Sequence, residues 1–219
     1  MTAIRIEQLE PSVVNNELAH HLQLVALNAW SRSLPNRTPE ELQHQFDPFT
    51  LQHIKKVQAI YQKFANEGGL FVATTREAGI SQPIGFLLLH EDVSGDPLSQ
   101  AYKRRFHPGK VYAHAQHLVV DTPWQRQGIG MGLLHHGLST SVEQETFRLE
   151  QTTTAYIFEE NNIAKAGIEK AGYRMDPPDQ KPSVIEDYFG ADAAPVEEYR
   201  YARMIAAVLD ATGRKAKTT

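Results

Sequence analysis

Residues 117–138, HLVVDTPWQRQGIGMGLLHHGL, run from an apolar, strand-like stretch through a glycine-dense turn straight into a helix-like stretch, with Gly128, Gly130 and Gly132 at alternate positions. A strand that ends where a helix begins gathers the helix's unpaired N–H groups and the positive end of its dipole at one spot. That arrangement receives phosphate or pyrophosphate. A β-carbon at 128 or 130 holds such a ligand off the backbone, so glycine there is what a phosphate cradle needs. The same glycines also suit a tight turn and close packing of helix on sheet, and both readings stand at this point. Two familiar phosphate motifs do not fit. The dinucleotide fingerprint is G-x-G-x-x-G, whereas the series here is G-x-G-x-G, and no G-x-x-x-x-G-K-[ST] occurs, which counts against NAD and ATP.

With 219 residues the chain is long enough for one sizeable core. The expected organisation is a single domain over 1–212, with an inserted loop at about 93–110 and a basic tail at 213–219. IRIEQLE alternates as a strand does, and Pro11 and Ser12 close it before a helix that runs to about Trp30. Thr38, Pro39 and Glu41 form a capping box that opens a second helical region. That region breaks at Asp47 and Pro48, then carries Ile54, Val57, Tyr61 and Phe64 at helical spacing up to Gly68 and Gly69. LFVATTRE and PIGFLLLHED predict a hairpin, and VYAHAQHLVVD a third strong strand that enters the glycine turn. Leu134, Leu138 and Val142 step along the following helix. LEQTTTAYIF predicts a strand, NNIAKAGIEKAGY a short helix stopped at Gly172, and EEYRYARMI either a last strand or a closing helix.

Bulk charge limits the partners. A formal net charge of -4 disfavours general nucleic-acid binding and suits cationic small molecules. With Cys 0, disulfides and thiolate sites are out, and the reducing cytoplasm is the simplest location. MTAIRIEQLEP lacks the pattern of a signal peptide, and runs such as GFLLL are too short to span a bilayer, so no membrane partner is expected. The chain has His 10, but His20–His21 and His135–His136 are adjacent pairs that cannot share one helix face, and no H-E-x-x-H occurs, so no metal is expected.

VVDTPWQRQGIG resembles the signature of the GNAT superfamily of acetyl-CoA-dependent N-acyltransferases, [Q/R]-x-x-G-x-[G/A], with Gln125, Gly128 and Gly130 at its fixed positions. A second match follows: the family's N-x-x-A and later K-x-G-[aromatic] are met by Asn161, Ala164, Lys170, Gly172 and Tyr173. The likeness covers the layout of residues 3 to 175, with strong motifs from 117 to 173. It implies an α/β (α+β) fold of the GNAT type, with a mixed, mostly antiparallel central sheet flanked by helices.

The resemblance also implies a site. In that fold the strand before the glycine turn and the strand after the helix splay apart, and acetyl-CoA, the cosubstrate, lies in the gap. Leu118, Val119 and Val120 would then pair through their backbone with the pantetheine arm. The N–H groups of Gln127, Gly128, Ile129, Gly130, Met131 and Gly132 would hold the pyrophosphate, with Gln125 in the turn and Asn161 reaching in from the following helix. Arg126 either adds charge at the phosphates or sits in solvent.

The implied reaction is direct attack of a neutral amine on the thioester, with a backbone N–H near Val119 or Val120 meeting the oxyanion. An ammonium with a pKa of about 10.4 must lose a proton first. Strand alternation puts His114 and Gln116 on one side with Leu118 and Val120, and His117 on the other. His114, with an ordinary pKa of about 6.5, is the expected base, and Gln116 can orient a water. His117, Glu91 and Asp92 are weaker candidates.

One departure stands out: Ile168 occupies the position where many family members carry a thiolate-protonating tyrosine, and isoleucine donates no proton. The thiolate then leaves unaided, through water, or with another group such as Tyr156. KRRFHPGK, residues 103–110, is either a phosphate- or carboxylate-binding patch or a solvated loop. Trp30, Phe46, Phe49 and Tyr61 either line an acceptor pocket or pack in the core. The expected activity is N-acetyl transfer to a primary amine of a small molecule or peptide by a chain that can form a homodimer. The alternative is a non-catalytic acyl-CoA sensor or interaction module.

Overall fold

The computed structural model describes residues 3–33, 50–77, 80–91, 113–144, 153–158, 161–171, 173–175 and 196–201. Along the chain these form β1 (Ile4–Gln8), a 3-10 turn (Pro11–Val13), α1 (Asn16–Ser33), α2 (Leu51–Asn66), β2 (Leu70–Glu77), β3 (Ile80–Glu91) and β4 (Ala113–Val120). A second 3-10 turn (Thr122–Trp124) leads into α3 (Ile129–Glu143), followed by β5 (Thr153–Phe158), α4 (Asn162–Lys170), β6 (Arg174–Met175) and β7 (Val196–Tyr201). The chain divides into two compact units, Met1–Leu89 with His117–Gly137, and His90–Gln116 with Leu138–Thr219. Thr38, Phe46, Phe49 and the inserted basic segment lie outside the described residues.

In the first unit the strands follow in the order β1-β2-β3 and then the last residues of β4, with β1–β2 and β2–β3 antiparallel. LFVA and IGFLLL are continuously apolar instead of alternating, which is the pattern of strands covered on both faces. Accordingly Leu70–Ala73 and Ile84–Leu89 are buried without a break. Alternation then decides which helix each residue meets. Phe86 packs edge-on against Tyr61 of α2 with ring centroids 5.7 Å apart, while a β-carbon on Gly137 of α3 would lie 2.7 Å from Leu87, the next residue in β3. Helices α2 and α3 therefore cover opposite faces of β3. Each fully buried side chain among Phe71, Phe86 and Leu87 contributes about 1.5–3 kcal/mol. The β2–β3 register shifts between Ala73 and Thr74, and just past the shift Thr74 faces Pro83. A proline has no N–H for the ladder and is tolerated at such an irregularity.

The helices follow their sequence signals closely. Pro11 and Ser12 belong to the 3-10 turn, and α1 starts later than Ser12, where the Asn15 side chain accepts from the Leu18 amide at 2.9 Å. The apolar series Ile54, Val57, Tyr61 and Phe64 is the buried stripe of α2. Gly68, at φ +70, ends that helix, and the Gly69 amide donates to the Phe64 carbonyl at 2.7 Å. Between α1 and α2 lies a polar contact inside the core: Gln23 Nε2 donates to the Tyr61 hydroxyl at 2.7 Å, and both residues are fully buried. Burial pushes the Tyr61 pKa well above its ordinary value, against the smaller opposing pull of the Gln23 bond.

In the second unit the first residues of β4 pair parallel with β5, Ala113 opposite Thr153 and His114 opposite Thr154. Strand β5 pairs antiparallel with β7, and β7 with β6, so the order is β4-β5-β7-β6. A parallel pair needs a crossover, and α3 lies between β4 and β5 in the chain. The segment EEYRYARMI resolves at its start as strand β7. Ala155, Ile157, Ile168, Ala171 and Tyr173 are buried here.

Candidate functional site

The glycine turn lies wholly in the first unit, and a set of hydrogen bonds fastens it. The Asp121 amide donates to the Ile84 carbonyl at 2.9 Å, extending the pairing of β4 with β3 by one residue. The Asp121 carboxylate accepts from the Thr122 amide at 2.8 Å and its carbonyl from the Trp124 amide at 2.9 Å, closing the 3-10 turn with Pro123 inside it. Gln125 Nε2 then reaches back to the Val120 carbonyl at 2.9 Å. The side chain of the motif's first fixed residue is thus spent on the end of β4. Gln127 Nε2 similarly donates to the Pro123 carbonyl at 3.2 Å.

Two residues of this turn have left-handed backbone, Arg126 at φ +64 and Gly128 at φ +81. The second explains the glycine, because other residues enter that region at a cost of about 1 kcal/mol or more. The first was invisible in the sequence, since arginine carries no mark of a left-handed position. Arg126 is exposed, as are Gln127 and Gly128.

The three glycines serve different ends. A β-carbon on Gly128 would meet nothing within 4 Å, and one on Gly130 would touch only Val120 Cγ2 at 3.6 Å, an ordinary contact. Packing does not require glycine at 130, and the space beside it is open. On Gly132 a β-carbon would come 2.9 Å from the terminal methyl of Ile6, which would have to swing aside, so α3 lies close against β1 here. The amide of this glycine is also occupied: it donates to the Gly128 carbonyl at 2.9 Å, the first i→i−4 bond of α3. The Gly132 amide, expected among the pyrophosphate donors, is thus taken up inside the helix. The amides of Gly128, Ile129, Gly130 and Met131 have no intrahelical acceptor by geometry.

The electrostatics of this helix start are equally plain. The first turn of α3 contains no acidic residue, Gly128 brings no capping side chain, and the cationic Arg126 stands two residues ahead. The positive end of a 15-residue helix is left without a neutralising group of its own. Ile129, only 4% exposed, anchors the turn from below. An anion with several acceptor oxygens, such as a phosphate or pyrophosphate, matches these donors.

Along β4 the alternation expected from sequence holds where side chains are described. Ala115, His117 and Val119 are buried, and Leu118 and Val120 are half-buried. His117 lies against Trp30 with ring centroids 6.0 Å apart. His114 and Gln116 sit on β4, with their side chains, like those of Glu91 and Tyr156, outside the described residues; Asp92 is outside them altogether. Asn161 is the N-cap of α4, its Oδ1 accepting from the Ala164 amide at 3.0 Å. That bond is the physical content of N-x-x-A, and it leaves the Asn161 Nδ2 as the remaining donor. Ile168, 6% exposed, is a core residue of the second unit. Among the described residues no helix is long and apolar enough to cross a membrane, and no group of three or more His, Cys, Asp or Glu side chains is placed to hold a metal ion.

No protein-family model matches the chain, and no curated protein matches it at a significant level. Solved structures do. PH1933 from Pyrococcus horikoshii OT3 aligns with a TM-score of 0.57 and 17% identity over 91% of this chain and 98% of its own. An acetyltransferase of the GNAT family from Staphylococcus aureus Mu50 aligns at 0.55 and 15% identity, over 91% of this chain and 99% of its own. The NatC complex bound to a Gag peptide and CoA contributes a chain that aligns at 0.53 and 12% identity, over 91% of this chain and 98% of its own. With a glycine turn joining β4 to α3 and this alignment along nearly all of its length, the chain has the fold of the GNAT acetyltransferases.

Proposed function

We propose that the protein is an N-acetyltransferase that moves an acetyl group from acetyl-CoA to a primary amine of a small molecule or peptide. The observation that carries this reading is the start of α3: a left-handed Gly128, the amides of Gly128–Met131 without an intrahelical acceptor, no acidic residue in the first turn, and open space beside Gly130. A diphosphate fits that donor set. In this reading the amides of Gly128, Ile129, Gly130 and Met131 hold the pyrophosphate, and the backbone of Leu118, Val119 and Val120 orients the pantetheine arm. Gln125 acts by holding the carbonyl of Val120, and Arg126 offers a cation beside the phosphates. Acetyl-CoA supplies an acyl group already activated as a thioester. His114 takes the proton that the ammonium must lose, and Gln116, two residues on, orients a water.

A second reading is an acyl-CoA-binding module without turnover. Buried Ile168 favours it, because the position offers no proton to a departing thiolate. One assay decides between them: thiol release from acetyl-CoA by the purified protein, with amino acids, polyamines, aminoglycosides and peptides as acceptors. Peptides belong in the panel because one protein of this fold has been seen with a peptide and CoA. Release that depends on one amine supports the enzyme and identifies the acceptor class. CoA binding with no release for any amine favours the binding module, and absence of CoA binding overturns both.

A further inference from the structure

The end of α1 contacts the residues that flank the segment Leu118–Val120, His117 ahead of it and Thr122 behind it. Ahead of it, the Trp30 ring meets the His117 ring, centroids 6.0 Å apart and planes at 48°. Behind it, Thr122 Oγ1 donates to the Asn28 carbonyl at 2.8 Å, a bond between residues separated by 94 positions. The acceptor is unusual, since Asn28 lies within α1, where carbonyls ordinarily serve the helix alone. Its neighbours are loaded in the same way: Ser31 Oγ donates to the Leu27 carbonyl at 2.7 Å and Ser33 Oγ to the Ala29 carbonyl at 2.9 Å. Three consecutive carbonyls thus take hydroxyl donors, and of these donors Thr122 alone comes from outside α1. Hydroxyls that share helix carbonyls weaken the ladder there and tilt the carbonyls outward. At Asn28 the added donor comes from the turn that follows β4.

We infer that the end of α1 is a brace that holds Leu118–Val120 in place, with Thr122 and His117 as positioning residues for the cofactor arm. This rests on the proposed assignment of that segment to acyl-CoA. Strand β4 needs such a brace because the turn behind it contains two left-handed residues and the helix start depends on where the strand ends. A small slip at Val120 moves both its own carbonyl, held by Gln125, and the amides at Gly128–Met131.

The test compares Thr122→Val, which removes the donor at nearly constant shape, with Thr122→Ser, which keeps it. Two quantities are read: amide hydrogen exchange at Leu118–Val120 in the ligand-free protein, and CoA affinity by calorimetry. The expectation for Thr122→Val is exchange about fivefold faster and CoA binding about fivefold weaker, the effect of one neutral hydrogen bond. Thr122→Ser should stay within about twofold of the parent in both. Parent-like exchange in Thr122→Val, or equal impairment in the serine variant, overturns the brace. If the parent itself fails to bind CoA, the proposed function falls, and the exchange data still decide whether the brace exists.

Discussion

Gln125 Nε2 donates to the Val120 carbonyl at 2.9 Å, so the first fixed residue of the glycine signature grips the strand it follows. The family pattern allows glutamine or arginine here, and both can donate to a carbonyl. Gln125→Ala should therefore destabilise the protein by about 1–3 kcal/mol, because a half-buried carbonyl loses its partner. Gln125→Arg should recover most of that. Urea denaturation of the two variants checks the contrast, and equal loss in both would show that the carbonyl is not what the side chain serves.

Gly128 and Gly130 should respond in opposite directions to the same substitution. Gly128→Ala forces a β-carbon into the left-handed region and should cost about 1–2 kcal/mol with weaker CoA binding. Gly130→Ala meets only an ordinary contact inside a helix and should stabilise by about 0.5–1 kcal/mol. The added methyl would enter the open space beside residue 130, so CoA binding should weaken even as stability rises. Denaturation midpoints and calorimetry on the pair decide it.

How far this site was readable from the sequence depends on the kind of interaction. The strand–glycine–helix order, the buried stripe of α2 and the hairpin of β2 and β3 followed from periodicity and turn chemistry, which are local and leave a mark at fixed spacing. What else Gln125 and Asn161 hold did not follow: beside the cofactor role the resemblance implies, Gln125 Nε2 donates to the Val120 carbonyl and Asn161 Oδ1 accepts from the Ala164 amide. A capping asparagine and a ligand-binding one look identical in a string of letters. The occupied amide of Gly132 and the left-handed Arg126 were hidden for a related reason, since neither backbone state has a signature in residue type. The contacts of α1 with His117 and Thr122 join distant stretches, and no pattern in a single chain announces them.

Tyr61 sets an alkaline limit on the fold. Its pKa is raised in the native state by burial, so the native protein keeps the hydroxyl proton where the unfolded chain, with a pKa of about 10, releases it. The unfolded state then binds fewer protons, and this contribution, fully present below about pH 10, is lost above it at up to about 1.4 kcal/mol per pH unit. Tyr61→Phe should flatten that slope. At neutral pH the same variant should be destabilised by about 1–3 kcal/mol, because the fully buried Gln23 loses its partner. Stability measured from pH 8 to 11 in parent and variant gives both numbers.

His114→Ala should lower turnover by about 10²-fold or more while leaving CoA affinity within about twofold, if the imidazole is the base. The limb of the pH–rate profile that reports the base should vanish with it. Unchanged turnover would pass the role to another group.

The close approach of Ile6 to Gly132 has a consequence for assembly. The helix start lies against a strand from the opposite end of the unit's sequence, so α3 reaches its packed position only when β1 has been added to the sheet. A ligand held by the amides of that helix start selects the finished unit over any partly folded one, and stabilises it by mass action. An anion bound at this turn would thus favour the unit in which the earliest strand has already come home.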